Sequence, residues 1–358
     1  MNKKNKPLTN DIFIDRINEL AMLSLGLKNA KDYVLIAPRR FGKTTLANKV
    51  FDEIRKDENY ILITIDIMRY SGGVRKLAEG ITEQCLNALG YKGKLQLLLK
   101  KVGLSLQLKM SFGELEIEPI LSLLRDKSDD TAILDHALEL FEKIAIKTGK
   151  NVIIFFDEFG ELYGMGDEVI KIFRSILQTQ KHVCCLFAGS QETLMSKIFV
   201  EKSAAFFRFG DIINLGYLDQ QEVISFLNNT AFDFSVSQNI INLLECHPYY
   251  TSKVIRDLIL EPVYSTSHIE LFRYIEERLL PQESAYLEML IQNIKSRSHA
   301  LDILTNLAIG LDVNSGLENK PRQTVYKLIQ ILGQSGYITP IKGGYKLTDP
   351  LLKLYLAQ

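Results

Sequence analysis

The chain has 358 residues, with 43 Lys and Arg against 43 Asp and Glu, so its formal net charge is zero. Hydrophobic residues make up 46% and charged residues 24%, which is typical of a globular protein with a large core. A neutral chain excludes a global field that attracts polyanions, so any nucleic-acid binding requires a local basic patch. The length predicts two or three domains.

Cysteine usage and the N-terminal sequence indicate the cellular compartment of the protein. Four cysteines, two of them adjacent at Cys184 and Cys185, follow no spacing typical of a metal site or a disulfide framework. The first seven residues lack the apolar core of a signal peptide, and no segment is long enough to span a membrane. We therefore predict a cytoplasmic protein without a membrane partner.

The first predicted strand, residues 33–37, leads into a Gly-Lys-Thr turn and a helix from residue 43 to about 55. This spacing is that of a P-loop whose first glycine is Ala37, a replacement that is tolerated only where no positive φ is needed. In a P-loop, backbone N–H groups cradle phosphates, Lys43 neutralises the β- and γ-phosphates, and Thr44 binds Mg²⁺. The predicted nucleotide-binding residues are Ala37, Pro38, Arg39, Arg40, Phe41, Gly42, Lys43, Thr44 and Thr45.

A second strand at residues 60–66 and a helix at about 74–89 come next, and an insertion follows. Apolar residues alternate with polar or small ones on both sides of residues 111–113. This period of two predicts a β-hairpin at about residues 101–119. The hairpin would cover one edge of the sheet or contact a partner or second copy, and we favour the edge.

A helix at residues 131–147 precedes a predicted strand at residues 151–157, an apolar run that ends in Asp157 and Glu158. Such a run suits a central parallel strand that is buried on both faces. Its C-terminal end faces the crevice where open α/β sheets bind ligands. Asp157 would hold Mg²⁺ through water, and Glu158 would act as general base on the attacking water. The P-loop upstream counts against an ordinary acidic turn.

The remaining segments of the first part continue the alternation. A helix at about residues 167–180, a buried strand at 182–188 and a short strand at 212–215 follow. Strands that alternate with helices predict an α/β fold with a parallel sheet and right-handed crossovers. We assign this P-loop core of five strands to residues 1–217.

From Asp219 onward the pattern becomes helical, and we assign residues 218–282 to a helical domain. Its predicted helices span residues 220–228, 237–244, 252–260 and 268–279. His247 and Pro248 stand at a helix start, where proline suits the first position. A lid over the nucleotide is the functional alternative for this motif.

Residues 283–358 follow a different pattern, in which a helix from near Pro321 precedes two strands around a Gly-Gly turn. This order predicts a winged helix. From residue 284 onward the segment carries eight Lys and Arg against five Asp and Glu. Winged helices also serve as protein-contact modules, and this small excess does not decide between the two uses. The residues predicted on the open face of its recognition helix are Arg322, Gln323, Lys327 and Gln330.

Taken in order, five motifs resemble those of the archaeal-type ATPase family. That family belongs to the signal-transduction (STAND) ATPases, near AAA+ and the origin-recognition ATPases. The resemblance implies a five-stranded ASCE nucleotide-binding core, a helical lid, a C-terminal winged helix and ATP as the nucleotide. The motifs span residues 13–20, 37–44, 155–158, 187–191 and 345–350.

The resemblance also implies roles for single residues. It places Asp15 and Arg16 near the adenine, and it makes Ser190 the polar sensor of the γ-phosphate. Arg208 falls where such ATPases carry an arginine finger, which a neighbouring subunit would supply. The structural alternatives are a small residue in a turn for Ser190 and an exposed arginine beside a packing turn for Arg208.

The His247–Pro248 pair resembles the Gly-x-Pro lid motif of this family, with Cys246 where the glycine is expected. Two functions follow from the motifs together. The first is an ATP-binding, slowly hydrolysing switch whose core, lid and winged helix rearrange or oligomerise to control an effector protein. The alternative is a DNA-binding ATPase resembling origin-recognition or transposition-regulator proteins.

Zero net charge and few basic residues on the recognition helix favour the switch over the DNA-binding ATPase. A small-molecule kinase is disfavoured by the pair Asp157 and Glu158 and by the winged helix. The expected ligands are therefore ATP or ADP with Mg²⁺. Duplex DNA on the winged helix, a homo-oligomer and an effector protein are the candidate partners.

Overall fold

A computed structural model describes residues 13–14, 16–90, 129–190, 192–229, 234–260 and 268–358. The chain divides into two compact units, Ile17–Leu215 and the remainder, which comprises Met1–Arg16 and Gly216–Gln358. We call them the sheet unit and the helical unit. The hairpin predicted at about residues 101–119 lies outside the described residues.

Helices and strands alternate along the sheet unit, as predicted. Short 3₁₀ turns follow β2 and β3, at Ile67–Tyr70 and Phe159–Met165, and a π turn at Ser196–Val200 follows α6. The described helices are α1 (Ile17–Lys28), α2 (Lys43–Ile54), α3 (Val74–Ala88), α4 (Asp130–Thr148), α5 (Asp167–Leu177) and α6 (Glu192–Met195). The strands are β1 (Tyr33–Ile36), β2 (Tyr60–Asp66), β3 (Asn151–Asp157), β4 (Val183–Gly189) and β5 (Asp211–Asn214).

The five strands form one sheet in the order β2-β3-β4-β1-β5, and every pair is parallel. This confirms the predicted five-stranded parallel sheet. Strand β4 separates β1, which leads into the Gly-Lys-Thr turn, from β3, which ends in the carboxylates. Because the strands are parallel, their carboxyl ends meet at one edge of the sheet, and the residues that follow them converge there.

The core of the sheet unit explains why β3 is a continuous apolar run. Its residues 152–156 are fully buried, with helices packed on both faces of the sheet. On one face the core contains a group of packed rings that we call the phenylalanine cluster. Its members are Phe156, Phe159, Phe173, Phe187, Phe199, Phe206 and Phe209.

The helical unit has its own hydrophobic core, which includes apolar residues from the beginning of α7 to α14. No helix in the described part of the chain combines the length and the hydropathy that a membrane span requires. The described helices are α7 (Gln220–Asn228), α8 (Phe234–Leu244), α9 (Pro248–Leu260), α10 (His268–Tyr274), α11 (Leu280–Lys295), α12 (Ala300–Ala308), α13 (Arg322–Gln334) and α14 (Pro350–Leu356). The strands β6 (Ile338–Ile341) and β7 (Gly344–Leu347) pair antiparallel.

Helix α10 continues through a π turn, Ile275–Leu279, directly into α11. The boundary predicted between residues 282 and 283 therefore falls inside α11. Pro281 lies just after the π turn, and such a turn is where a continuous helix accommodates the hydrogen bond that a proline cannot make. The division into core, lid and winged helix stays a prediction.

The C-terminal elements follow the predicted order of a helix and two strands. Helix α13 buries Val325, Leu328, Ile329 and Leu332, whose spacing is that of one helix face. Gly343, in the turn between β6 and β7, has a φ of 94°, which favours glycine. The interpretation of α12, α13 and this hairpin as a winged helix stays a prediction.

Candidate functional site

The loop between β1 and α2 has two residues with positive φ, Gly42 at 82° and Arg40 at 68°. Ala37 is not among the described residues with positive φ, so the alanine is accepted without strain, as its position required. The left-handed conformation instead falls on Arg40, where it costs about 1–2 kcal/mol. Arg39 and Thr45, two further predicted phosphate-loop residues, are exposed.

Lys43 is 5% exposed, and its ammonium group lies against the loop. The Nζ atom donates to the carbonyl oxygens of Ala37, at 2.8 Å, and Pro38, at 3.0 Å. Phe41 is buried and anchors the loop to the core. The loop therefore holds the lysine head at the N-terminal end of α2, where the backbone N–H groups carry positive partial charge.

The hydroxyl of Thr44 donates to Asp157 Oδ2 at 2.7 Å, which joins α2 to the end of β3. Asp157 Oδ1 accepts from the backbone N–H of Glu158 at 3.0 Å. Burial raises the pKa of Asp157 above its ordinary value, the bond from Thr44 opposes this, and the charge of Glu158 adds to the rise. The predicted metal-binding pair is thus in direct contact.

The oxygen atoms of Thr44 and Asp157 suit a hard divalent cation. Within the described residues, no group of three or more His, Cys, Asp or Glu side chains is arranged to hold a metal ion. In nucleotide sites Mg²⁺ is usually bound through one or two protein oxygens together with substrate phosphates and water. The residues present therefore fit a magnesium–nucleotide complex.

Glu158 has φ 50° and ψ 43°, a left-handed conformation that is uncommon for a residue other than glycine, asparagine or aspartate. Its Oε2 atom accepts two hydrogen bonds from Ser190, one from the backbone N–H at 3.2 Å and one from the hydroxyl at 2.8 Å. The structure thus brings the predicted base and the predicted sensor together. Strain of this kind persists only where neighbouring contacts hold it.

Asp66 is a third carboxylate at this edge of the sheet, and it was not predicted as a site residue. It ends β2 and lies opposite Asp157 in the parallel register, and its negative charge contributes to the raised pKa of Asp157. Its Oδ1 accepts from the backbone N–H of Met68 at 3.1 Å. The sequence contains a signal for Asp66. It is an aspartate at the end of a predicted parallel strand, and the same criterion led to the prediction of Asp157.

Arg208 lies in the loop between α6 and β5 and is exposed, with a φ of 59°. Its guanidinium carbon is 5.3 Å from the ring centroid of Phe207. The contacts that the structure gives Arg208 include neither Lys43 nor Glu158. The predicted arginine finger therefore makes no contact with these two site residues of its own chain.

Three predicted nucleotide-binding residues belong to the helical unit. Arg16 is 5% exposed, and one of its terminal nitrogens donates to the carbonyl of Gly216 at 2.7 Å. His247 is buried, with its ring 4.5 Å from that of Tyr250, and Pro248 begins α9. Asp15 lies outside the described residues.

The turn before α9 clarifies the lid motif. Glu245 and Cys246 have positive φ values, 51° and 57°. Cys246 therefore adopts, immediately before His247 and Pro248, the conformation for which glycine is the usual residue. The backbone at Cys246 therefore suits the glycine of a Gly-x-Pro sequence, and the lid role of this turn stays a prediction.

A sequence profile of the family described as ATPase domains predominantly from Archaea matches residues 13–242. This stretch includes the loop between β1 and α2, Asp157, Glu158, Ser190 and Arg208. A search among curated proteins finds no match.

Several solved structures have a similar fold. A Walker-type ATPase of Pyrococcus abyssi is 18% identical with a TM-score of 0.71, over 97% of this chain and 96% of that one. The ORC2 protein of Aeropyrum pernix, in ADPNP–ADP complexes, is 11% identical with a TM-score of 0.57, over 96% and 95%. The ORC1 protein of the same organism, in complex with DNA, is 13% identical with a TM-score of 0.50, over 97% and 93%.

Proposed function

Because this chain belongs to the family of ATPase domains found predominantly in Archaea, and is thus an ATP-hydrolysing P-loop enzyme, we propose that it works as a nucleotide-controlled switch. Binding of ATP and its slow hydrolysis would alternate two arrangements of the molecule, or its oligomerisation, and so control an effector protein. The contact between Ser190 and Glu158 carries this proposal.

Nucleotide binding follows from the loop. The N–H groups of the loop and of the first turn of α2 would cradle the β- and γ-phosphates, and Lys43 would neutralise them. Thr44 and Asp157 would hold Mg²⁺, which when bound screens the phosphate charge. As the family resemblance implies, Arg16 is proposed to lie near the adenine, and His247 and Pro248 are proposed to form the lid motif.

Ser190 can serve only one acceptor at a time, because a hydroxyl group has a single O–H donor. In the structure this donor is given to Glu158 Oε2. A sensor of the γ-phosphate has to give the same donor to a phosphate oxygen, and Glu158 Oε2 then keeps only the bond from the backbone N–H of Ser190 and can accept one from the attacking water. The two arrangements exclude each other, so the hydroxyl is a two-state element that the γ-phosphate biases.

The test is the Ser190→Ala variant. It should lose most of its turnover, and its affinities for ADP and a non-hydrolysable ATP analogue should differ less than in the wild type, because no hydroxyl reads the γ-phosphate. Calorimetric titration with both ligands in the presence of Mg²⁺ measures this, with turnover assayed in parallel. Ser175→Ala, an exposed serine on α5, is the matched control, and Lys43→Ala should bind neither ligand.

Glu158→Gln should retain ligand binding but stall hydrolysis, because glutamine accepts from Ser190 and cannot take a proton from water. Undiminished turnover in Glu158→Gln would show that another group is the base. A Ser190→Ala protein that keeps both its turnover and its preference between the two nucleotides would refute the two-state role.

Arg208 is proposed as an arginine finger for a nucleotide bound by a neighbouring copy. Its guanidinium is exposed and forms no ion pair with any described residue, so it is accessible to an incoming phosphate. A finger supplied between copies would make hydrolysis depend on assembly, which suits a switch.

Binding of duplex DNA is a second candidate function, and the outer face of α13 favours it. Tyr326 is 60% exposed, and Arg322, Gln323, Lys327 and Gln330 are exposed on the same helix. Neither α13 nor the β6–β7 hairpin contains an acidic residue. Arg322 and Lys327 form no ion pair with any described residue. Such a face suits phosphate contacts, and the similar ORC1 protein was solved in complex with DNA.

Steady-state ATPase activity against ionic strength, with and without duplex DNA, tests this second function. Stimulation that collapses with added salt is the expected result, because phosphate contacts release counterions. Arg322→Gln or Lys327→Gln should each lower the salt slope of DNA binding by about 1, whereas Lys295→Gln on α11 should not. Turnover that is indifferent to DNA at low salt would leave only the switch.

A further inference from the structure

The loop that carries Arg208 is anchored in the phenylalanine cluster. Phe206 is fully buried, with its ring centroid 5.5 Å from Phe159 and 5.6 Å from Phe187. Phe209 lies 5.0 Å from Phe206 and 5.7 Å from Phe187. Arg208 thus stands, exposed, in a segment whose flanking phenylalanines are tied to the core.

The same cluster reaches the carboxylates. Phe156 directly precedes Asp157, Phe159 directly follows Glu158, and their rings are 5.7 Å apart. Phe159 is in turn 4.7 Å from Phe187, which contacts the Arg208 loop. The anchor of the loop and the residues that flank the carboxylates therefore belong to one close-packed group, in which a shift at one end is felt at the other.

Arg174, on α5, contacts this loop at two points. Its Nε atom donates to the carbonyl oxygen of Ala205 at 3.0 Å. Its guanidinium carbon lies 4.7 Å from the ring centroid of Phe209 and 6.0 Å from that of Phe206. The two points lie on either side of Arg208, and both use features that a guanidinium has and an ammonium lacks, an Nε–H and a flat stacking face.

The loop requires such contacts because Arg208 has a left-handed backbone conformation, with a φ of 59°. This conformation costs a residue other than glycine about 1–2 kcal/mol and persists only where the surroundings determine it. The backbone conformation at Arg208 sets the direction in which its side chain leaves the surface. Contacts that fix the positions of residues 205 and 209 therefore also fix the direction of the Arg208 guanidinium.

We propose that Arg174 is a positioning residue that aims Arg208 at the nucleotide of a neighbouring copy, through its bond to Ala205 and its stacking on Phe209. This inference rests on the proposed finger role of Arg208. Arg174 itself touches neither nucleotide nor reacting atoms. Misplacement of a catalytic group by about 1 Å costs on the order of 100-fold in rate, so the loss of either contact should be visible in kcat.

Arg174→Lys is the decisive substitution. It keeps the positive charge that acts on the half-buried Asp32, and it removes the Nε–H and the flat guanidinium. We expect kcat to fall about 10- to 100-fold, with the KM for ATP and the Tm nearly unchanged. Lys171→Met, on the same helix, is the matched control and should leave kcat unchanged, because Lys171 has no hydrogen bond or ion pair with any described residue.

A double-mutant cycle with Arg208→Ala separates the inference from its premise. If Arg174 acts through Arg208, the double variant should be no slower than Arg208→Ala alone. An unchanged kcat in Arg208→Ala would refute the finger itself. A loss in Arg208→Ala without a loss in Arg174→Lys, or losses that multiply in the double variant, would refute the positioning role.

Phe209→Leu is the second variant in case Arg174→Lys folds poorly. It removes the stacking surface and leaves the bond from Arg174 to Ala205, so kcat should fall by less than in Arg174→Lys. In the Arg208→Ala background, Phe209→Leu should cause no further fall in kcat. An unchanged kcat in a folded Phe209→Leu protein would count against the proposal.

Discussion

At the scale of single residues, two half-buried carboxyl groups of the sheet unit have raised pKa values. Asp157 is one, and Asp32, just before β1, is another. Burial raises the pKa of Asp32 to about 6, against the opposing bond from the N–H of Cys185 at 2.7 Å and the charge of Arg174. Both groups bind their proton more tightly than an exposed aspartate does.

Asp32→Asn should change the pH dependence of stability. An aspartate whose pKa is raised on folding favours the folded state below its unfolded pKa, near 3.9, and this contribution is lost as the pH rises to about 6. The loss is on the order of 3 kcal/mol in the free energy of unfolding. Asparagine keeps the acceptor for Cys185 and carries no charge, so the variant should be the more stable protein at pH 8 and not at pH 4.

Urea unfolding of wild type and Asp32→Asn from pH 4 to pH 8 measures this difference. Asp52→Asn, an exposed aspartate on α2, is the control and should follow the wild type. If the free energy of unfolding changed with pH in the same way in wild type and Asp32→Asn, burial would not raise the pKa of Asp32.

At the scale of elements, the turn between α8 and α9 is tied to the C-terminal hairpin and helix. Glu245 forms ion pairs with Lys346 of β7 and, at 3.6 Å, with Lys353 of α14. The hydroxyl of Tyr250, in the first turn of α9, donates to Asp349 at 2.9 Å. Within the helical unit, the turn of the proposed lid motif and the proposed wing are therefore held together by charge as well as by the shared core.

Glu245→Gln tests the charged part of this connection, because glutamine keeps the shape and the strained backbone. Both lysines and Glu245 are partly exposed, so we expect a loss of less than about 1 kcal/mol in the free energy of unfolding. The loss should shrink in 0.5 M salt, since screening weakens such pairs. Urea unfolding at low and high salt measures it, and a loss independent of salt would contradict an electrostatic origin.

At the scale of the whole molecule, the finger role of Arg208 makes activity a property of the assembly. Arg208→Ala lacks the finger, and Glu158→Gln lacks the base, so each alone should be inactive. Mixed together, they should recover part of the turnover, because an intact Arg208 from one copy meets an intact Glu158 of another. ATPase activity measured across mixing ratios tests this, and no recovery at any ratio would assign Arg208 a role within its own chain.

Local patterns in the sequence predicted most elements. The bounds of β2 and β3 agree with prediction, because a buried parallel strand is a contiguous apolar run whose ends are marked by polar residues. The phosphate loop was equally clear, since its spacing is set by one short stretch of backbone. The predicted boundary between residues 282 and 283 fell inside α11, because the continuity of a helix through a π turn leaves no strong mark in composition.

The sequence by itself determined the fold class and the ATPase motif and predicted Lys43, Thr44, Asp157 and Glu158 as site residues, because each depends on residues close together in the chain. Only the tertiary structure placed Asp66 opposite Asp157, joined Ser190 to Glu158 and brought Arg174 against the loop of Arg208. These contacts join residues about 30 or more positions apart. They depend on strand order and on which side chains the packed core brings together, and a single sequence carries no local record of that choice.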